Sequence, residues 1–243
     1  MITRGKEYRT IACLALIALY LAVTVLAAPV GPDSITYVQN ASRGVKGPIA
    51  RTQDERGTIT TIRINVTQQS LYWKAYLGNV SGKITLDDNL NYTMFDWTLT
   101  SSGGEVFASR KASTVLWTSI RCANKTVVEA ESLALNHTFE KTDGLNKTFR
   151  RNNHTSFFVG NQPIGANSCN HTAHPYVNDG PQKSSFSEVL LYDTEGWIVY
   201  ASVMNQSVHG YNNQHVDFQM LVGEKGQEGF QTPVAYYFYV ELT

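Results

Sequence analysis

The sequence predicts an all-β protein: an antiparallel β-sandwich of jelly-roll or Ig-like type with one short helix, behind an N-terminal signal or anchor helix. Three observations carry that expectation. Apolar residues recur with period two in about ten short segments, the mark of half-buried strands. Gly, Asn and Asp punctuate those segments at turn spacing. Aromatic residues make up 11% of the chain and charged ones 16%, a composition that fills a β core and excludes disorder.

The chain divides into three parts. Residues 1–28 begin with the cationic Arg4, Lys6 and Arg9, and no charge interrupts Ile11–Ala28. With small residues near Val25–Ala27 for cleavage, this is the anatomy of a secretory signal peptide. An uncleaved membrane anchor is the rival, because the apolar run just reaches spanning length. A pilin-type leader cut at Arg4-Gly5 is a third reading, weakened by the charges of Lys6, Glu7 and Arg9. All three place the rest of the chain outside the cytoplasm, with membrane contact only if the segment is retained. Residues 29–56 read as an arm broken by Pro29, Gly31, Pro32, Gly47 and Pro48. Its one strand candidate is Ser34, Ile35, Thr36, Tyr37 and Val38. The arm is either a linker with an edge strand or a strand donor to a neighbouring subunit, which would leave it unpaired in the isolated chain.

Residues 57–243 form the sandwich domain. Ile62, Ile64 and Val66 alternate, and Leu71–Leu99 then reads as a three-stranded meander turning at Gly78-Asn79 and Asp87-Asp88-Asn89. Leu71, Trp73, Ala75 and Leu77 share its apolar face. Strands follow at Val106–Arg110 and Val115–Cys122. Thr126 with Glu129 forms a capping-box pattern, placing a short helix over Val127–Leu135. Asn136–Thr155 is polar and irregular, and Pro163–Gln182 is loop-like around the short apolar Phe157–Val159. Glu188–Tyr192 and Trp197–Met204 flank the hairpin turn Asp193–Gly196. Val216, Phe218, Met220 and Val222 alternate, and Val234, Tyr236, Phe238, Val240 and Leu242 line one face of a last strand. There is no internal repeat.

The densest signal is the N-glycosylation sequon. Asn40, Asn65, Asn79, Asn91, Asn124, Asn136, Asn146, Asn153, Asn170 and Asn205 each precede Ser or Thr by two positions with no Pro between. That is ten of seventeen asparagines, against about two or three expected by chance for this motif. A taste of turns for Asn, Ser and Thr does not explain the spacing. Occupied sites must face solvent. Two cysteines, Cys122 and Cys169, follow the leader, and in an exported chain they most simply form one disulfide, worth on the order of 3–4 kcal/mol. Two buried thiols are the alternative.

Other chemistry is thin. Lys plus Arg equals Asp plus Glu at 20 each and no basic face exists, so nucleic acid is excluded as a partner. Cys169, His171 and His174, with His137 and His154 near in sequence, have a metal-like look. Three of those histidines, however, are the middle residues of Asn-His-Thr sequons and a closed ligand set is lacking, so no metal and no cofactor is expected. Asp87, Asn89 and Asn91 imitate a calcium loop whose Gly and bidentate Glu are missing. Asp96, Glu105, Glu188, Asp193 and Asp217 are the carboxylates a hydrolase would need to pair. No nucleophile elbow, zinc helix or phosphate loop accompanies them, and no enzyme is expected. Trp73, Trp97, Trp117 and Trp197 could stack on sugars, though most alternate into core positions.

The segments WKAYLGNVSGKITL, YTMFDW, GEVFASR, SEVLLYD, VDFQMLV and TPVAYYFYVEL, with those around Cys122 and Cys169, resemble a family of secreted, N-glycosylated archaeal surface β-proteins. The likeness covers most of the chain after Gly57 and implies compartment and fold. The architecture is also similar, more loosely, to filament subunits that assemble by donor-strand exchange. The expectation is an extracellular structural glycoprotein of the cell surface, self-assembling as a filament or envelope layer, its partners copies of itself and its covalent N-glycans. A monomeric module binding surface glycans is the alternative, and an extracellular hydrolase a third reading.

Overall fold

The computed structural model describes residues 29, 31, 34–37, 58–87, 93–99, 103–137, 143–169, 176–177, 180–181, 186–225 and 233–242. The signal or anchor segment, Val38, Asn40, Asn91, Asn170, His171 and His174 lie outside the described residues. Among the described residues no helix is long and apolar enough to cross a membrane.

The elements, in order, are β1 (Ser34–Tyr37), β2 (Thr58–Gln69), β3 (Trp73–Asp87), β4 (Thr93–Leu99), β5 (Gly104–Ser109) and β6 (Arg121–Cys122). Two helices follow, α1 (Lys125–Ala134) and α2 (Leu145–Thr148). Then come β7 (Phe157–Val159), β8 (Gln162–Ile164), β9 (Tyr176–Val177), β10 (Gly180–Pro181), β11 (Ser187–Tyr192) and β12 (Ile198–Val203). The last are β13 (Val208–His209), β14 (His215–Val216), β15 (Phe218–Gly223) and β16 (Tyr237–Leu242).

Two five-stranded sheets make an all-β sandwich. The first runs β1-β2-β3-β15, with β4 beside the distal half of β3; the second runs β16-β5-β12-β11-β6. Neighbours are antiparallel apart from β1, which lies parallel to β2 of its own chain. The arm strand is therefore paired within the chain, contrary to the expectation for a free donor.

The meander is real, but its strands are β2, β3 and β4. No turn forms at Gly78-Asn79, because β3 runs through both residues as one strand. Gly78 is required there by contact: β2 carries a bulge at Asn65, and a Cβ on Gly78 would sit 1.9 Å from the Arg63 carbonyl oxygen. The expected face assignment also fails at β3. Tyr76 and Val80 enter the inter-sheet core, while Leu77 packs on the other side against Val66, Phe186 and Val216. Both faces of the strand are covered, so period two could not tell inside from outside.

The inter-sheet core joins Ile62, Ile64, Phe218 and Met220 to Val106, Ala108, Tyr200, Phe238 and Val240. Tyr76 and Phe238 meet edge-to-face across it, with centroids 5.0 Å apart. The expected C-terminal stripe is borne out: Tyr236, Phe238 and Val240 are buried in this core, with Val234 and Leu242 packed at its margin. The second sheet is buried on its other face too, by Val115, Trp117, Ile120 and the β7–β8 hairpin. This explains its continuous apolar runs, such as Val189–Leu191.

The covering layer is irregular where a strand was expected. Val115–Cys122 forms a 3-10 turn at Trp117–Ser119 and only a two-residue strand. A disulfide between Cys122 and Cys169 ties the layer to the sheet edge, closing a sequence separation of 47 residues. In the chain-entropy account a loop of that length contributes about 4 kcal/mol. Helix α1 begins two residues earlier than expected, because Asn124, not Thr126, caps it by accepting from Val127 N at 3.0 Å.

A methyl group at residue 78 has nowhere to go but into the backbone of β2. Gly78→Ala is expected to lower stability by about 2 kcal/mol or more, measured by urea unfolding against wild type. An unchanged midpoint would show that the bulge is free to move away.

Candidate functional site

The sequon asparagines are the functional candidates, and none of the seven described is buried. Asn124, Asn136, Asn153 and Asn205 are exposed; Asn65, Asn79 and Asn146 are half-buried. Two bracket α1. Asn124 is its N-cap, and the cap uses Oδ1, while Nδ2 donates to the Tyr192 hydroxyl at 3.3 Å. Asn136 follows the C-cap with φ of 56°, and the bonds Asn136 N to Leu133 O and His137 N to Ser132 O complete a Schellman ending. These roles account for Asn at both positions. They do not account for the Thr two residues on.

Asn65 and Asn79 face one another across β2 and β3. Asn65 Nδ2 donates to Asn79 Oδ1 at 2.8 Å, and Asn65 Oδ1 is buried without a partner. The two sequons thus share one patch of surface, and sugars rooted on both would collide.

Of the residues with a metal-like look, His171 and His174 lie outside the described residues, and the described ones are engaged separately. Cys169 is in the disulfide. His154 accepts from Cys169 N at 3.3 Å through Nε2, which requires its Nδ1 to carry the proton donated to Thr155 O. His137 lies elsewhere, between Tyr72 and Trp73, and donates from Nε2 to Glu224 O at 2.6 Å. Among the described residues no group of three or more His, Cys, Asp or Glu is placed to hold a metal ion.

The candidate carboxylates have structural work. Asp193 bonds Lys111 Nζ at 2.7 Å and receives Glu195 N and Trp197 N, which shapes the β11–β12 turn. Lys111 holds its carboxyl below the usual range against the opposing effect of burial. Asp217 receives Val80 N and Ser207 N. Glu188 receives Leu221 N in the inter-sheet core, where burial pushes its carboxyl well up. The side chain of Asp96 is outside the described residues.

One carboxylate contact was not legible from the sequence. Glu105 on β5 is directly opposite Glu241 on β16, and both are buried under the β7–β8 hairpin. Glu241 accepts from Gly160 N at 2.8 and 3.0 Å, but Glu105 Oε2 has no partner. Burial first, then the charge of Glu241, pushes Glu105 up to about 8. Burial raises Glu241 as well, opposed by its bond to Gly160. Finding this pair needs the register of β5 and β16, which no local pattern encodes.

The tryptophans divide. Trp73 and Trp117 are buried, while Trp97 is exposed on β4 of the first sheet and Trp197 is exposed at the end of the β11–β12 turn of the second. Arg110 lies over the Trp197 ring at 5.7 Å and pairs bidentately with Glu131. Comparison with protein-family models, curated proteins and solved structures finds no match to the chain.

The Glu105–Glu241 contact sets a pH dependence. A carboxyl whose folded pKa lies above its unfolded value binds its proton more tightly when folded. Its contribution is fully present below the unfolded value of 4.5 and is lost as pH rises through about 8. His137, lowered mainly by burial, acts oppositely, losing stability as pH falls below 6.5. Glu105→Gln is therefore expected to raise the melting temperature at pH 8 relative to wild type and to leave it little changed at pH 4.5. Equal shifts at both pH values would remove Glu105 from the account.

Proposed function

We propose that this chain is an exported, N-glycosylated structural protein of the cell surface that self-assembles as a filament or envelope-layer subunit. The observation that carries the reading is the sequon set: ten sequons, none of the described ones buried. The Cys122–Cys169 disulfide supports an oxidising compartment. The sequence resemblance to secreted archaeal surface β-proteins points the same way.

Strand exchange through the arm is the assembly route that fits the fold. β1 pairs in parallel with β2 over four residues, Ser34 to Tyr37. Ser34 and Thr36 are exposed, and Ile35 packs against the margin of the inter-sheet core. So short a strand is weakly anchored, and the same register on a neighbour's β2 would bury the same surface. The outer edge of β15 is a poor acceptor, because side chains of the second sheet already occupy it. The exposed Trp97 and Trp197 favour a second reading, a glycan-binding module.

Negative-stain microscopy of the glycosylated protein is expected to show regular fibres or sheets, and deletion of residues 34–38 to abolish them while leaving a folded monomer. Fibres from the shortened chain would end the strand-exchange account, and persistent wild-type monomers would favour glycan binding. Site-resolved glycopeptide mapping is expected to find Asn124, Asn136, Asn153 and Asn205 occupied. It should find sugar on Asn79 or Asn65 but not on both in one molecule. A doubly modified species in good yield would contradict the shared-patch geometry.

A further inference from the structure

We infer that the β13–β14 hairpin is a divalent-metal site in which His209 and His215 present their Nε2 atoms to one late first-row ion, Zn²⁺ or Cu²⁺. The two residues are direct cross-strand partners. Both are exposed, with ring centroids 4.0 Å apart and an interplanar angle of 46°. Each ring is oriented from behind by a backbone carbonyl. His209 Nδ1 is 3.1 Å from Asn213 O, and His215 Nδ1 is 2.7 Å from Ser207 O.

Those two bonds fix the chemistry. A carbonyl oxygen only accepts, so Nδ1 carries the proton in both rings, and each neutral imidazole keeps its lone pair on Nε2. Donation of the distal N–H to a backbone carbonyl is the support that metal-ligating histidines usually have. Ser207 and Asn213, which supply the two carbonyls, both hold left-handed backbone, with φ of 52° and 64°. The hairpin keeps them there. Asp217 Oδ1 accepts from Ser207 N at 2.9 Å, Asn213 N donates to Gly210 O at 3.0 Å, and Gly210 N donates to Gln214 O at 2.9 Å.

The span also fits. Nitrogen ligands sit about 2.0–2.1 Å from Zn²⁺, so one ion bridges nitrogens up to about 4 Å apart. The ring centroids are 4.0 Å apart, which places both imidazoles within reach of one such ion. Imidazole selects Zn, Cu or Ni over Ca or Mg. Two ligands leave coordination positions open to water or to a donor from outside the chain.

The test uses the full chain, titrated separately with Cu²⁺ and Zn²⁺ by calorimetry, with electron paramagnetic resonance of the copper form. The expected result is a single equivalent bound, with hyperfine coupling to two imidazole nitrogens. His209→Asn and His215→Asn should each weaken binding by at least about tenfold, the scale at which even supporting groups register, and the double variant should abolish it. His171→Ala with His174→Ala should leave it unchanged. Nitrogen NMR of the wild-type imidazoles reads the site without any variant: Zn²⁺ should move the two Nε2 resonances and leave both Nδ1 atoms protonated. Wild-type binding in the double variant, or unmoved Nε2 resonances, would overturn the proposal.

Discussion

The outer edge of β15 dictates how the two sheets meet. On one side β15 pairs with β3; on the other its backbone faces the interior of the sandwich and needs partners. Side chains of the second sheet and the residue leading into β16 supply them. Ser202 Oγ donates to Gln219 O at 2.7 Å, and Leu221 N donates to Glu188 at 2.9 Å. Gly223 N donates to the Tyr200 hydroxyl at 3.3 Å, and the Tyr236 hydroxyl donates to Gly223 O at 2.6 Å. An open edge inside a core would forfeit those bonds, and one in water would invite pairing with other chains. Much else follows. Glu188 has to be buried, and a Cβ on Gly223 would crowd the Tyr200 hydroxyl at 3.1 Å and displace the Leu135 side chain, whose Cδ1 it would meet at 2.4 Å. The hydroxyls of Tyr200 and Tyr236 are held near neutrality-preferring surroundings, and burial raises both.

Buried ions do similar work at the margins. Lys74 pairs with Glu224 at 2.6 Å and donates to Val234 O, while Glu224 accepts from Val234 N, Lys225 N and Gln69. This joins β3 to the segment entering β16. Lys111 meets Asp193 and Glu195 at the other end, where it fixes the β11–β12 turn. Such pairs add little net stability over an apolar replacement, but removing one partner strands a charge at a cost of about 3–5 kcal/mol. Their value here is positional: each sets where an irregular segment joins a regular one.

The legible parts of the sequence were those where one physical demand acted alone. The C-terminal stripe from Tyr236 to Val240 was readable because one face is wholly apolar and buried while the other, Tyr237, Tyr239 and Glu241, is half-buried or polar. Asp193–Gly196 was readable because a short turn with Gly196 at φ of 84° needs those residues. Legibility failed where two demands overlapped. Gly78-Asn79 looks like a turn because Gly and Asn favour turns, but Gly78 answers to a bulge 13 residues earlier in the chain. Trp117 looks like strand because it is aromatic and buried, although it packs from a 3-10 turn onto Phe107 and Tyr239. The Glu105–Glu241 and His209–His215 contacts depend on register. The second pair had a local trace, two histidines flanking Gly210-Tyr211-Asn212-Asn213-Gln214, but hairpin pairing is needed to give it meaning.

Register also governs the sequons. A sugar on Asn124 replaces a hydrogen on Nδ2 and leaves the capping Oδ1 in place, so modification and helix capping are compatible at one side chain. The same substitution on Asn65 acts on the atom that donates to Asn79, and Asn65 Oδ1 has no other bond to offer. Motifs that are equivalent in the sequence, such as those at Asn124 and Asn65, therefore become inequivalent in the fold. At the helix cap Asn124 Oδ1 accepts from the backbone while Nδ2 donates to the Tyr192 hydroxyl; across the β2–β3 bulge Asn65 uses its nitrogen and Asn79 its oxygen. Both nitrogens donate one bond, so what separates the two sites is the oxygen, which accepts from Val127 N at Asn124 and is buried without a partner at Asn65.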